Sequence, residues 1–532
     1  MTNHRVGFFI ICACFFMTSL DVTIVNVALP VMTTSLHSPL NQIIWVVNGY
    51  LLVYAALSVP AGRVADIFGQ RSTFVVGIAI FTLASALCGL AQSAFLLVGA
   101  RLLQGVGSAF MISPSLALMP SVVPPERRGA AMGVYASTVA LASVVGPLAG
   151  GVLVSVLGWP GIFLINIPIG LALIIGSLVT IPHVKLAKPH SFDIVGIVLA
   201  ALGLFAIVFA IVEGPAYNWG SVFGPLNIFT LLGAGFVLLI AFAFWERYQS
   251  EPFLSLSIFK NWSFTGMVTV NGIGAFAIFG VVFLLTLYLE SALGMSALVA
   301  GLTIMPEMVA AFIVGPFAGR MIDKIGGKLV LIFGLLCVAL GLGLLAWVSA
   351  TNASWVTFVV PLVITGVGLA CTLSSVMGET LRCVSPPMMG TASGMLSMTR
   401  LVGGSIGVAV IVSVLQSNLF AAANSLAVSA IQQVPNNQRR AFTDYLTALV
   451  QNRGVSSTTL SLQLQQQAHQ IYSQSFVSAL HPTLIMVVSV LLVAVLLVLS
   501  VRRQATSQPK IEKVAPSASE KTEVSPVAQS AQ

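Results

Sequence analysis

The sequence predicts an all-α polytopic membrane protein of about fourteen helices, and three observations carry that expectation. Hydrophobic residues make up 57% of the 532 residues and charged residues only 7%, far below the share in soluble domains. The apolar residues gather into runs of about twenty, the length of helix that crosses about 30 Å of hydrocarbon. Basic residues fall between these runs with a regular alternation, as loops on one side of a bilayer require.

The first run, about 6–29, is too long for a signal-peptide core. It also carries Asp21 and Asn26 in place of a small-residue cleavage site, so it is expected to stay in the membrane. Five more runs follow at about 43–62, 73–91, 94–119, 130–154 and 161–181, bounded by charges, Pro or Gly clusters. A pair stands at about 194–212 and 226–245, and six further runs at about 265–288, 299–319, 329–349, 355–377, 391–417 and 480–501. With a cytoplasmic N-terminus, the inward loops hold Arg5, Arg63, Arg71, Arg127, Arg128, Lys185, Lys188, Arg247, Lys260, Arg320, Lys324, Lys328, Arg382 and the basic tail from Arg502. The outward loops then hold only Arg439, Arg440 and Arg453, which satisfies the positive-inside rule with an even number of spans and both termini cytoplasmic.

Two segments stand outside the runs. Residues 419–478, rich in Gln, Asn and Ser, read as an outward loop with short amphipathic helices around Arg439 to Val450 and Leu460 to Tyr472. Residues 503–532, rich in Ser, Pro, Lys and Glu, read as a disordered cytoplasmic tail. The net charge of +8 is dispersed between apolar runs instead of forming one basic face, so nucleic acid is not an expected partner. Six cysteines lie in or near apolar segments without metal-site spacing, and neither a disulfide framework nor a metal is indicated. The chain holds no GxxxxGK[ST] loop, no HExxH and no GxSxG elbow, so neither an ATP motor nor an enzyme is expected, and no cofactor. Any work this chain does against a gradient draws on another ion gradient.

A repeat links its two halves. The loop Gly62-Arg63-Val64-Ala65-Asp66-Ile67-Phe68-Gly69-Gln70-Arg71 recurs as Gly319-Arg320-Met321-Ile322-Asp323-Lys324-Ile325-Gly326-Gly327-Lys328, each after the second span of a six-span set. The small Gly62 and Gly319 let helix ends approach closely. Asp66 and Asp323 suit the positive end of the following helix while pairing with a nearby base such as Arg71 or Lys328, across the tight links at Gly69 and Gly326. One copy alone reads equally well as a turn needed only for membrane insertion. Two copies at matching positions favour a gate.

This loop resembles the signature between the second and third helices of the major facilitator superfamily. Other stretches are similar to its drug:proton antiporter branch with fourteen spans: Leu20-Asp21-Val22-Thr23-Ile24-Val25-Asn26-Val27-Ala28-Leu29-Pro30 in the first span, and Arg101-Leu102-Leu103-Gln104-Gly105-Val106-Gly107-Ser108-Ala109 in the fourth. In the fifth, Ala142-Ser143-Val144-Val145-Gly146-Pro147-Leu148-Ala149-Gly150-Gly151 resembles the antiporter motif, with Ala142 where that motif often has Gly. The resemblance implies the major facilitator fold: two six-helix bundles plus two extra central helices, with substrate bound between the bundles near the midplane. The division that follows is 1–187 for the N-terminal bundle, 188–260 for the added pair and its linkers, 261–502 for the C-terminal bundle, and the tail beyond. One stretch departs from the branch pattern: Trp159-Pro160-Gly161-Ile162-Phe163 replaces an Arg-bearing aromatic cluster before Asn166-Ile167-Pro168-Ile169-Gly170.

Ionisable residues inside the runs are few, and each costs at least about 2.5–3.5 kcal/mol unless it sits in a cavity or a pair. Asp21 reads as a proton acceptor or cation partner, or as an interhelical hydrogen-bond group with Thr23 and Asn26. Arg101 is its natural counter-charge and stays ionised at any accessible pH, so it tunes an acid instead of carrying the proton; in the family the matching Arg is associated with proton transfer, and the other reading is a salt bridge between helices. Glu307, after Pro306, is a buried carboxyl suited to exchange a proton for a cationic substrate, or a protonated group bonded to backbone freed by the proline. Glu290 is a further candidate acid at the outer edge of its span, or a solvated interfacial side chain. Gly146, Pro147, Gly150 and Gly151 form a bendable or close-packing seam. Arg400, with Gly403-Gly404-Ser405-Ile406-Gly407, suits anion binding or capping, with structural packing ranked first.

The function expected is proton-coupled export of hydrophobic, often cationic compounds by alternating access, in a bacterial inner membrane. Its partners are a small-molecule substrate, protons and the bilayer, with a periplasmic adaptor as a further candidate. A dedicated exporter of one metabolite or siderophore is the narrower alternative, and a non-transporting receptor or scaffold is the alternative of another class.

Overall fold

The protein is described from a computed structural model covering residues 2–38, 40–182, 193–214, 217, 220–224, 226–249, 256–432, 434–436, 438–450 and 460–501. The expected tail disorder, together with Lys185, Lys188 and Arg453, falls outside the described residues. Besides the single turns Leu40–Ile43 and Gly161–Leu164, the α-helices in chain order are α1 Thr2–Ser35, α2 Trp45–Phe68, α3 Gln70–Gly89, α4 Ala94–Val122, α5 Arg128–Leu157 and α6 Asn166–Thr180. Then come α7 Ile194–Glu213, α8 Ile228–Tyr248, α9 Trp262–Leu287, α10 Ala297–Ile325, α11 Gly327–Val348, α12 Trp355–Arg382, α13 Met389–Ile431, α14 Arg439–Val450 and α15 Leu462–Ser500. Among the described residues, 13 helices are long and apolar enough to cross a membrane, and the seventh expected span appears as the shorter apolar stretch Val195–Ile211. A two-stranded antiparallel hairpin, β1 Ser221–Phe223 with β2 Leu226–Asn227, between α7 and α8 is the one departure from all-α character among these residues.

The helices α1 to α6 pack into one bundle, chiefly α1 on α5, and α4 on α2 and α3. A second bundle comprises α9 to α13 with α15, chiefly α9 on α13, α12 on α10 and α11, and α15 on α11 and α13. The pair α7 and α8 pack on each other, with α7 also against α2 and α13. The bundles meet along two seams, α2 with α13 and α5 with α10.

Small residues line both seams at one end of the molecule. A Cβ at Gly62 would overlap the Gly390 carbonyl oxygen, and one at Gly394 the Ser58 carbonyl oxygen. The same relation holds between Gly129 and Gly133 of α5 and Gly315 and Gly319 of α10. Helix backbones touch at these points because no side chain stands between them. The repeated link between helices is one residue long in each half: Gly69, at φ 101°, joins α2 to α3, and Gly326, at φ 90°, joins α10 to α11. Only glycine adopts such backbone freely.

The segment 419–478 differs most from the expectation of a loop. Helix α13 runs on to Ile431 and α15 begins at Leu462, with α14 Arg439–Val450 between them. Polar residues such as Gln416 and Asn418 lower hydropathy without breaking a helix, and no Gly or Pro interrupts 408–431. The expected amphipathic helix at Arg439 to Val450 is α14, which buries Phe442, Tyr445, Leu446 and Val450. The one expected at Leu460 to Tyr472 forms the first turns of α15.

Candidate functional site

Three assemblies bear on function: a pair of matched latches, a buried ionic network, and a cavity between the bundles.

The latches involve the repeated aspartates. Asp66, in the last turn of α2, accepts hydrogen bonds from Gly390 N, Thr391 N and Thr391 Oγ1, each at 2.8 Å. Asp323, in the last turns of α10, accepts from Gly129 N at 2.7 Å and Ala130 N at 2.9 Å. Each carboxylate therefore caps the first turn of a helix in the opposite bundle, α13 or α5, where unpaired N–H groups and the helix dipole favour an anion. This corrects the expectation that each Asp serves the helix that follows it. The expected basic partners go elsewhere as well. Arg71 donates from Nη2 to the Leu178 carbonyl oxygen near the end of α6, and Lys328 Nζ donates to the Leu499 and Val501 carbonyl oxygens at 3.0 and 2.5 Å, at the end of α15. Cations at helix C-termini meet the negative end of the dipole.

The ionic network lies inside the first bundle. Arg101 Nη1 donates to Asp21 Oδ2 at 2.5 Å and to Gln104 Oε1 at 2.7 Å, while Nε donates to the Val46 carbonyl oxygen at 2.8 Å. Gln104, one turn beyond Arg101 on the same helix, donates from Nε2 to Asp21 Oδ1 at 3.1 Å and Ser85 Oγ at 2.8 Å. Asn166 Nδ2 reaches Ser85 Oγ at 3.0 Å and Asp21 Oδ1 at 3.4 Å. The guanidinium carbon stands 4.1 Å from the Tyr50 ring centroid and 5.6 Å from that of Phe163. Both charged side chains are fully shielded, with 0% exposure. A buried ion pair of this kind persists because the remaining donors and acceptors are largely satisfied; Arg101 Nη2 alone in the network lacks a partner among the described residues. Sequence reasoning placed Asp21 beside Arg101 but gave no role to Tyr50, Ser85, Gln104 or Asn166. Gln104 and Asn166 stand inside the quoted motifs, and the i, i+3 spacing of Arg101 and Gln104 was the available signal.

The cavity lies between the bundles, away from the latches. Its larger chamber of about 570 Å³ reaches Leu298, at the end of α10 opposite Asp323. A second chamber of about 310 Å³ shares Val22, Leu51, Asn271, Phe279 and Arg400 with it, so the two are continuous. The wall is mostly aliphatic, aromatic and Met side chains, with Asn26, Asn271, Tyr54 and a few hydroxyls as polar groups. Arg400 is the one charged residue lining either chamber among the described residues.

The remaining candidates are dispersed. Glu307 is 3% exposed, its backbone carbonyl lies against Gly366 of α12, and its side chain makes no hydrogen bond or ion pair among the described residues; it is not among those lining the cavity. Glu290 is exposed within a π-helical turn, Tyr288–Ala292, that ends α9. Gly146 and Gly150 abut α1, where a Cβ would collide with the Thr23 and Ile24 side chains; Pro147 lines the cavity, and Gly151 has open space. Helix α5 continues through Pro147.

Comparison with known proteins adds an independent line. A profile described as Major Facilitator Superfamily matches residues 11–408. The chain is 32% identical over 396 residues to the tetracenomycin C resistance and export protein of Streptomyces glaucescens, covering 74% of this chain and 73% of that one. It is 33% identical over 407 residues to the multidrug resistance protein Stp of Mycobacterium tuberculosis, covering 76% and 75%. With the methylenomycin A resistance protein of Bacillus subtilis it shares 32% identity over 399 residues, covering 74% and 84%. Among solved structures, the human organic anion transporter MFSD10 superposes with a TM-score of 0.61 at 13% identity, over 93% of this chain and 99% of that one. At that identity the likeness speaks for the fold alone.

Proposed function

Because this chain belongs to the Major Facilitator Superfamily, we propose that it is a proton-coupled exporter of hydrophobic small molecules working by alternating access. The observation behind the reading is a cavity between the bundles together with matched seals at the end that holds Asp66 and Asp323, which supports an arrangement that opens at the other end. The sealed end carries Arg63, Arg71, Arg127, Arg128, Arg320, Lys324, Lys328 and Arg382, which supports placing it on the cytoplasmic side of a bacterial inner membrane with both termini inside. The cavity then faces outward. To reach the inward state, Asp66 and Asp323 leave the N-termini of α13 and α5 and both glycine seams part, while the outer ends close.

Asp21 is the proposed proton acceptor. A proton on its carboxylate removes the anionic acceptor from Arg101 Nη1, which remains charged, and so weakens the tie between α1 and α4. Glu307 is a second candidate acid, buried and without a protein partner among the described residues. The sequence reading gave these two carboxylates the task of meeting a cationic substrate. Neither lines the cavity, so a cationic preference has no support in its wall. Export of one dedicated compound is a narrower reading, favoured by relatives whose names carry a single antibiotic.

The test is efflux of Nile red, a neutral hydrophobic dye, from cells expressing the protein. Efflux should stop when a protonophore collapses the proton gradient and continue when ATP is depleted with the gradient held. Dye retention unchanged by the protein, or efflux indifferent to the protonophore, would contradict the proposal.

A further inference from the structure

Arg400 sits where the two chambers join, contributed by α13 and facing α9, with its guanidinium carbon 5.9 Å from the Phe279 ring centroid. It makes no hydrogen bond or ion pair among the described residues, in contrast to Arg101, whose charge is met by Asp21. A guanidinium is always protonated, so this part of the wall carries a fixed positive charge in an otherwise uncharged, largely apolar cavity. An unmatched charge in that setting is costly unless a counter-ion reaches it, and the rigid fork of donors fits a carboxylate in a bidentate manner. The hydroxyls nearby are engaged within the protein: Tyr135 donates to Ser115 Oγ at 2.8 Å, since Ser115 itself donates to the Ile112 carbonyl oxygen, and Tyr54 bonds with Ser397. Asn271 cannot turn its amide donors toward a ligand while they serve the Leu396 carbonyl oxygen at 2.8 Å and Thr399 Oγ1 at 2.9 Å, so Arg400 is the strong donor of the wall.

We infer that the cavity selects hydrophobic aromatic compounds bearing an acidic group, a carboxylate or phenolate, which pairs with Arg400 while the ring system fills the apolar chamber beside Phe279. This rests on the exporter reading and deepens it by naming the sign of the substrate's charge. A cation of the same shape is repelled, and a neutral ester keeps the apolar contacts but loses the charge-assisted pair.

The test measures binding of three probes to the purified full-length protein in detergent by isothermal titration: 9-anthracenecarboxylate, its methyl ester and 9-anthracenylmethylammonium. In the wild type, the carboxylate should bind at least about tenfold more tightly than the ester, and the ammonium more weakly than either. Arg400→Gln should bring the carboxylate down to the level of the ester while leaving the ester unchanged, which also reports that the cavity is intact. Arg400→Lys should keep part of the preference, since it keeps the charge but loses the fork. A carboxylate preference that survives Arg400→Gln, or a wild type that binds the ammonium best, overturns the inference while leaving the cavity as a binding site. If none of the three binds the wild type, both the inference and the cavity's assignment as the substrate site fall.

Discussion

Removing the charge of Asp66 should open the sealed end of the molecule. Its carboxylate, 4% exposed, accepts three hydrogen bonds of 2.8 Å from the first turn of α13. Hydrogen bonds to a charged group contribute about 1.5–3 kcal/mol each, but three sharing one carboxylate are not additive, and Asn keeps one oxygen acceptor. Asp66→Asn should therefore cost the sealed state about 3 kcal/mol, or roughly a hundredfold in the ratio of sealed to open protein. Asp323 accepts two such bonds, and Asp323→Asn should shift the same ratio by roughly tenfold. Because a rigid-body opening breaks both latches at once, the double variant should show the two effects multiplied. Spin labels at the exposed positions Phe68 and Ser385, which flank the α2–α13 seam, report the separation by electron–electron double resonance. The half-buried Cys337 and Cys383 are replaced by Ser for this purpose; the other four cysteines are buried. The wild type should give mainly the short distance, Asp66→Asn a substantial long component, and Asp323→Asn a smaller one. Unchanged distances in a well-folded Asp66→Asn protein would refute the latch and leave the repeat as a turn needed for insertion.

Three other outcomes follow from the packing. Gly146→Ala drives a methyl group into Thr23 of α1, so it should lower the unfolding temperature by several degrees, on the basis of about 1–3 kcal/mol of overpacking, and slow dye efflux; Gly151→Ala, facing open space, should do neither. Gly326→Ala, at φ 90°, should destabilise by about 1–2 kcal/mol in thermal unfolding, whereas Gly343→Ala, mid-helix with open space around it, should be neutral or slightly stabilising. Gln104→Leu strips Asp21 and Ser85 of one donor and Arg101 of one acceptor, and should lower thermal stability by about 1–3 kcal/mol; a change below about 0.5 kcal/mol would mean that the network tolerates the loss.

The membrane spans were legible because a run of about twenty apolar residues has few other uses. Their ends were less so. Hydropathy marks where a helix leaves lipid, and α13 and α15 extend past that point on residues such as Ser425 and Gln465 that continue a helix in water. The repeat singled out Asp66 and Asp323 but not the groups they bond, since Gly390 lies 324 residues from Asp66. A second repeat held that information: Pro124-Pro125-Glu126-Arg127-Arg128-Gly129 and Pro386-Pro387-Met388-Met389-Gly390 open the two capped helices, each through a single 3-10 turn, Pro125–Arg127 or Pro386–Met388. Asp21 and Arg101 are also far apart in sequence, by 80 residues, yet that pair was legible because two opposite charges in apolar spans have few other places to go. Arg400 was legible only as a charge within a span. Which face of α13 meets the cavity depends on how the bundles dock, and hydropathy does not encode that phase.

Proton-coupled export through Asp21 and Glu307 can be read out in everted membrane vesicles whose lumen is acidified by respiration. Luminal pH is followed by the dequenching of an acridine dye as Nile red and 9-anthracenecarboxylate are added to wild type, Asp21→Asn and Glu307→Gln, each confirmed folded. Substrate-dependent proton efflux is expected in the wild type, abolished in Asp21→Asn and abolished or reduced in Glu307→Gln. Substrate uptake into wild-type vesicles without proton efflux, or efflux undiminished in both variants, would contradict it.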